Sequence, residues 1–171
     1  MKHTLSVHVE DKPGALARIS TMFARRGYNI ESLAVGPTER DGVSRITLRV
    51  DCSAHSLEQV EKQMHKLVNV LRVSVLGGPD EGVERELLLI KVAAAPQGRA
   101  ELISLADVFR GRVVDLGPDA IVLELTGTPE ELDSFHELVR PHGIKELVRT
   151  GRVGMARAST TTKQRRLSAI N

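Results

Sequence analysis

Residues able to recognise a free amino acid stand close together near the start of this chain. Asp11-Lys12-Pro13-Gly14-Ala15-Leu16 joins a carboxylate to a proline-glycine turn that feeds a helix. Pro13 holds φ at about −65°, and Gly14 turns the backbone without a Cβ clash, so the helix begins with its first N–H groups open. Such donors, aided by the helix dipole, suit a carboxylate. Asp11 accepts from an ammonium, and Asn29, one helix later, offers both a donor and an acceptor. An acceptor, a row of backbone donors and an amide are what a free α-amino acid requires, so these residues point to a small-molecule sensor. Pro-Gly also has a purely structural use before a helix, and Asn29 alone can satisfy local backbone groups. The weight therefore rests on the pair, with Gly27-Tyr28-Asn29 expected at a strand edge close to the same end of the unit as the turn.

Other chemistries lack their residues. The histidines (His3, His8, His55, His65, His136 and His142) have no H-x-x-x-H or paired-cysteine spacing, so no metal site is expected. Gly77-Gly78 lacks the Lys-Ser/Thr of a phosphate loop, and no serine sits in a nucleophile-elbow context. Cys52 is the single cysteine, which excludes an intrachain disulfide and suits a reducing compartment. It follows a strand pattern with no fitted base nearby, so no catalytic residues are expected. Arg25-Arg26 and the pair Lys62 and Lys66 read as solvated helix faces. Arg85, between Glu84 and Glu86, reads as a polar interface.

The elements that must position the sensor residues follow from periodicity. Leu5, Val7 and Val9 alternate with polar residues in a strand. Leu16, Ile19 and Phe23 recur at helical spacing, and Gly27 sits where a left-handed cap belongs. Asn29 to Val35 is a second strand, closed by Gly36-Pro37, and Thr38 to Gly42 is a hairpin loop. Ile46, Leu48 and Val50 form a third strand. Ser56, with Gln59 at capping-box spacing, starts a helix whose apolar stripe is Leu57, Val60, Met64 and Leu67. Val70 to Val75 completes a βαββαβ unit.

That order then repeats. Leu87 to Val92 reads as a strand buried on both faces, and Leu102, Leu105, Ala106 and Phe109 as a helix ending at Gly111. Val113 to Leu116 and Ile121 to Leu125 flank a Gly117-Pro118-Asp119 turn. Thr128, Pro129 and Glu131 start a helix buried through Leu132, Phe135, Leu138 and Val139. Ile144 to Val148 is the last strand expected. The fold class is α+β, with two tandem ferredoxin-like βαββαβ domains. The expected boundaries are 2–76 for the first domain, 77–82 for a linker and 83–156 for the second. The tail at 157–171 lacks periodicity and is expected to be disordered.

Composition narrows the partners. The chain has 171 residues, 41% hydrophobic and 27% charged, with a formal net charge of +2, too small to argue for a polyanionic partner. The same βαββαβ order builds RNA-recognition modules, but their strands display aromatics for base stacking, and here the first and third strands carry Leu, Val, Ile, Thr and Arg. No nucleic acid is expected. No apolar run approaches a membrane span, and Met1-Lys2-His3 leads straight into a strand pattern without a signal peptide, so the expected location is cytoplasmic.

Several runs carry a family resemblance: RRGYNIESLAVGPTE (Arg25 to Glu39), KQMHKLVNVLRV (Lys62 to Val73), VERELLLIKV (Val83 to Val92) and RTGRVG (Arg149 to Gly154). With Leu5-Ser6-Val7 and Gly14-Ala15-Leu16, they resemble the regulatory, or small, subunits of acetolactate synthase (acetohydroxyacid synthase). The first unit resembles an ACT domain, an amino-acid-sensing module. The resemblance implies a non-catalytic subunit that activates a large catalytic subunit and confers feedback inhibition, usually by valine. Thiamine diphosphate, Mg²⁺ and FAD are then expected on the large subunit and no cofactor on this chain. It also implies a homodimer through the ACT domains, with the effector at their interface. Asp11, Lys12, Pro13, Gly14 and Ala15 match one side of that site, and Asn29 and Ile30 match the other. Asp11 departs from the Asn that many members carry, keeping the acceptor and losing the amide donor. The alternative expectation is a stand-alone ACT-type sensor that controls another enzyme or a promoter.

Overall fold

Alternation of apolar and polar residues builds the first sheet. In the computed structural model, which describes residues 1–53, 56–77 and 82–158, β1 (Lys2–Glu10) is followed by α1 (Ala15–Arg25), β2 (Asn29–Pro37) and β3 (Val43–Asp51). Then come α2 (Leu57–Met64) and β4 (Val70–Leu76). The strands lie antiparallel in the order β2-β3-β1-β4. Leu5, Val7 and Val9 of β1 and Ile46, Leu48 and Val50 of β3 are buried with Ile19 and Phe23 of α1 and Val60 and Met64 of α2. Both helices therefore cover the same face. Phe23 meets Tyr28 edge to face with ring centroids 5.5 Å apart, so two of the few aromatics close the end of α1. Gly27 adopts φ +67°, the left-handed cap its position requires. Leu67, expected on the stripe of α2, lies beyond its end and still packs against the core.

The second sheet has the order β6-β7-β5-β8, from β5 (Gly82–Ala93), β6 (Arg112–Leu116), β7 (Ala120–Gly127) and β8 (Ile144–Arg149). Between them run α3 (Arg99–Val108) and α4 (Pro129–Val139). Thr128 caps α4 through a full capping box, its Oγ1 accepting from the Glu131 N–H while Glu131 accepts from the Thr128 N–H. Leu88, Ile90 and Val92 are buried with Leu123, Leu125, Leu102 and Phe135. Leu87 and Leu89 are only half-buried, which corrects the expectation of burial on both faces. The helices cover one face, so the continuous apolar run reports a central position in the sheet rather than a double cover.

The chain forms two compact units, Met1–Glu84 together with the segment from Arg152 onward, and Arg85–Gly151. The expected second domain at 83–156 is therefore trimmed at both ends. A ninth strand, β9 (Val153–Ala156), pairs with β5 and belongs to the first unit. Ion pairs made by two arginines accompany this return. Within the first unit Arg152 Nη1 lies 3.0 Å from Glu84 Oε2. Within the second, Arg149 meets Glu86, whose side chain is 7% exposed, and also Asp133. These partners explain why acidic VERE and basic RTGR stand in one chain, where Glu84 and Glu86 had read only as a polar flank of Arg85. Most of the expected linker and nearly all of the expected tail lie outside the described residues.

Candidate functional site

The β1–α1 turn is held from both sides. The Asp11 N–H donates to the Gly42 carbonyl at 2.8 Å, and the Lys12 N–H to the Glu10 carbonyl at 2.9 Å. Gly14 adopts φ +86°, a left-handed geometry that permits the abrupt start of α1, and no side chain caps that helix. The Ala15 N–H already donates to the Lys12 carbonyl at 3.2 Å, which corrects the expectation that it stands open. The Arg18 N–H closes the first helical bond to Gly14. Leu16 and Ala17 therefore carry the first-turn N–H groups without a carbonyl partner among the described residues.

Side chains around the turn divide into engaged and available groups. Lys12 Nζ pairs with Glu10 Oε2 at 3.2 Å, and Asn69 Nδ2 donates to the same oxygen at 2.9 Å. The hydrogen bond from Asn69, followed by Lys12, holds the Glu10 carboxyl below its usual range. Asp11 and Pro13 are exposed, and the Asp11 carboxylate has no partner among the described residues. Gly42 and Asn69 are supports that sequence reasoning missed. The Asp41-Gly42 pair signals the hairpin, but nothing local in sequence shows that its carbonyl anchors Asp11.

Asn29 stands elsewhere. It opens β2 opposite Asp51, which also faces Lys2 at the start of β1. Asp11 lies at the other end, beside Gly42 and the Glu10–Val43 pair. The expectation that both occupy the same end is thus overturned. The 11 residues of α1 carry the chain back along the sheet, about 1.5 Å each, so β2 starts where β1 started. Strand spacing of about 3.3 Å per residue puts roughly 30 Å between Asn29 and Asp11 within one copy. Asn29 is exposed and its amide has no partner among the described residues, while Ile30 is half-buried against the core.

A groove of about 790 Å³ runs along α1 past Gly14, Arg18, Met22 and Leu67, touching the turn only at Gly14. Among the described residues no group of three or more His, Cys, Asp or Glu could hold a metal, and no helix is long and apolar enough to cross a membrane. Burial pushes the Cys52 thiol up, so the thiolate is disfavoured.

A split βαββαβ sheet with a glycine turn between its first strand and helix, followed by a second sheet of the same order, defines a tandem ferredoxin-like protein. Comparison with known proteins resolves the class further. Residues 5–72 match the family described as the AHAS small subunit-like ACT domain, and residues 85–158 match the small subunit of acetolactate synthase. A probable acetolactate synthase small subunit of Archaeoglobus fulgidus is 48% identical over 159 residues, covering 93% of this chain and 99% of that protein. The acetolactate synthase small subunit of Mycolicibacterium smegmatis is 47% identical, with 91% of each chain covered. The crystal structure of the small subunit from Thermotoga maritima superposes with a TM-score of 0.87 at 36% identity, covering 94% of this chain and 99% of that one. The chain belongs to the acetolactate synthase small-subunit family, and its first unit is an ACT domain.

Proposed function

We propose that this chain is the non-catalytic regulator of a thiamine-diphosphate-dependent large subunit, which it activates and subjects to feedback inhibition by valine. Thiamine diphosphate, Mg²⁺ and FAD would reside on that cytoplasmic partner. The observation that carries the sensing function is the separation of Asp11 from Asn29 along the sheet. One copy has both halves of an amino-acid site and cannot join them.

A second copy can. β2 is an edge strand of its sheet, and an open edge invites pairing. An isologous two-fold contact is the commonest closure. Antiparallel pairing of β2 with the β2 of a second copy, centred on Leu33, sets the second Asn29 against Pro37. Pro37 is in register with Ser44 beside the hairpin that anchors Asp11. The valine carboxylate then meets the open N–H groups at the start of α1, while its ammonium meets Asp11 and the side-chain oxygen of the second copy's Asn29. Ile30 walls the apolar side chain.

Calorimetric titration of the full chain with valine tests this reading. Asn29→Ala leaves a buried polar group of the ligand unpaired and weakens binding by roughly 1–3 kcal/mol. A dimer mixed from Asp11→Ala and Asn29→Ala chains recovers one intact site of its two. Unchanged affinity in Asn29→Ala removes this site.

A further inference from the structure

The face of the first sheet turned away from its helices is rich in arginine, and several of its donors lack an acceptor among the described residues. By register, His8 of β1 stands between Arg45 of β3 and Arg72 of β4, with Gly36 of β2 beyond Arg45. The next row is Ala34, Thr47, Ser6 and Ser74, and the one after is Ser32, Arg49, Thr4 and Leu76. The chain around β9 reaches that third row, since the Arg152 N–H donates to Ser32 Oγ at 2.9 Å and Gly154 lies against Leu76.

Several hydrogen-bonding groups on this face lack a partner among the described residues, and most of them are donors. Arg45 Nη2 lies 3.2 Å from His8 Nε2. A guanidinium has no acceptor, so Nε2 accepts and the imidazole proton sits on Nδ1. Nδ1 is buried and has no partner among the described residues, and the same holds for Nε of Arg45, Nε of Arg49 and the Ser6 hydroxyl. Arg49 does donate to Thr4 and Arg72 to Ser74. None of Arg45, Arg49 or Arg72 has a carboxylate within ion-pair distance among the described residues. Arg40 adds to the positive field at His8, and the Glu39 carboxylate opposes it.

From these observations we propose that the row Arg45–His8–Arg72 binds a small phosphate-class dianion. Adjacent strands lie about 4.8 Å apart, so the two arginines rise from points roughly 10 Å apart and can converge above His8. Two guanidiniums match a dianion in charge. A tetrahedral oxyanion accepts from many directions, answering Nε of Arg45, the free arms of both arginines and, once these lift from the sheet, Nδ1–H of His8. Thr47, Ser6 and Ser74 flank the row on one side and Glu10 and Val43 on the other, with the Glu10 carboxylate already engaged by Asn69 and Lys12. Hydroxyls therefore outnumber apolar groups around it and favour an oxyanion over a carbon skeleton. The site lies on the face opposite α1 and involves neither Asp11 nor Asn29, so it is independent of the valine reading.

Calorimetry on the full chain at matched ionic strength tests the proposal, with inorganic phosphate, pyrophosphate and malonate as probes and chloride as the control. Phosphate or pyrophosphate is expected to bind in preference to malonate. Arg45→Gln combined with Arg72→Gln should weaken that binding by about tenfold or more, the usual loss for charge-assisted hydrogen bonds. Arg45→Lys keeps the charge and lacks the Nε donor, so an intermediate loss is expected, and circular dichroism confirms that each variant is folded. Binding no stronger than chloride, stronger binding of malonate, or an unchanged affinity in the folded double variant would each overturn the assignment.

Discussion

Replacing Gly14 by alanine isolates the conformational demand of the β1–α1 turn from its role in binding. Gly14 has φ +86°, and a Cβ built there meets nothing within 4 Å. The stability cost is therefore backbone strain alone, about 1–2 kcal/mol for an L-residue in the left-handed region. For a unit of this size each kcal/mol corresponds to a shift in Tm of about 4–8 °C. Gly143 supplies a control remote from the turn, with φ +90°, ψ 100° and only an ordinary contact to Ala93 at 3.7 Å, a backbone geometry outside the left-handed helical region that an L-residue tolerates less well. Thermal unfolding followed by circular dichroism should show a loss for both variants, the larger for Gly143→Ala. Valine titration should separate them. The new methyl at position 14 stands where the carboxylate approaches the first-turn N–H groups, so affinity should fall by about tenfold or more, the loss of a charge-assisted hydrogen bond. Gly143→Ala should bind as the unchanged protein does. Equal valine affinity in Gly14→Ala, with the strain penalty present, would refute the placement of the effector at this turn.

Other consequences follow from single contacts. Thr128→Ala removes the cap of α4 and should cost about 1 kcal/mol, measured by denaturant unfolding, with earlier hydrogen exchange at that helix. Gly111→Ala places a Cβ 2.7 Å from Leu125 Cγ and 3.0 Å from the Glu124 carbonyl, so overpacking should cost about 1–3 kcal/mol in the same assay. Burial, followed by the nearby Arg45, holds the His8 imidazole below its ordinary value of 6.5. The unfolded chain then takes up the proton first, so stability present above that value is lost as pH falls through it toward the lower folded value. His8→Gln should flatten that part of the Tm–pH curve, and an unaltered slope would contradict the assignment.

Elements whose local signals agreed with their packing were legible in sequence. Leu5, Val7 and Val9 gave β1 by alternation alone, and Thr128-Pro129 with Glu131 marked the start of α4 through the contacts that cap it. β9 was not legible. Val153-Gly154-Met155-Ala156 is too short and too poor in alternation to signal a strand, and its pairing depends on β5, some 70 residues earlier by strand register. The candidate site was legible in residue type and not in placement. Asp11 and Gly14 sit at the turn as expected, but sequence spacing did not reveal that α1 returns the chain to the opposite end of the sheet before Asn29. The orphaned donors around His8 were invisible for a related reason, because their row combines residues from β1, β3 and β4.

Regulation of a catalytic partner is the central claim, and reconstitution measures it most directly. The full chain is mixed with the acetolactate synthase large subunit from the same cell, and acetolactate formation from pyruvate is followed with and without valine. The rate should rise on mixing, and valine should then reduce it. Asn29→Ala should still activate while losing sensitivity to valine, because sensing and activation would use different surfaces. A rate unchanged by adding the chain would contradict the account.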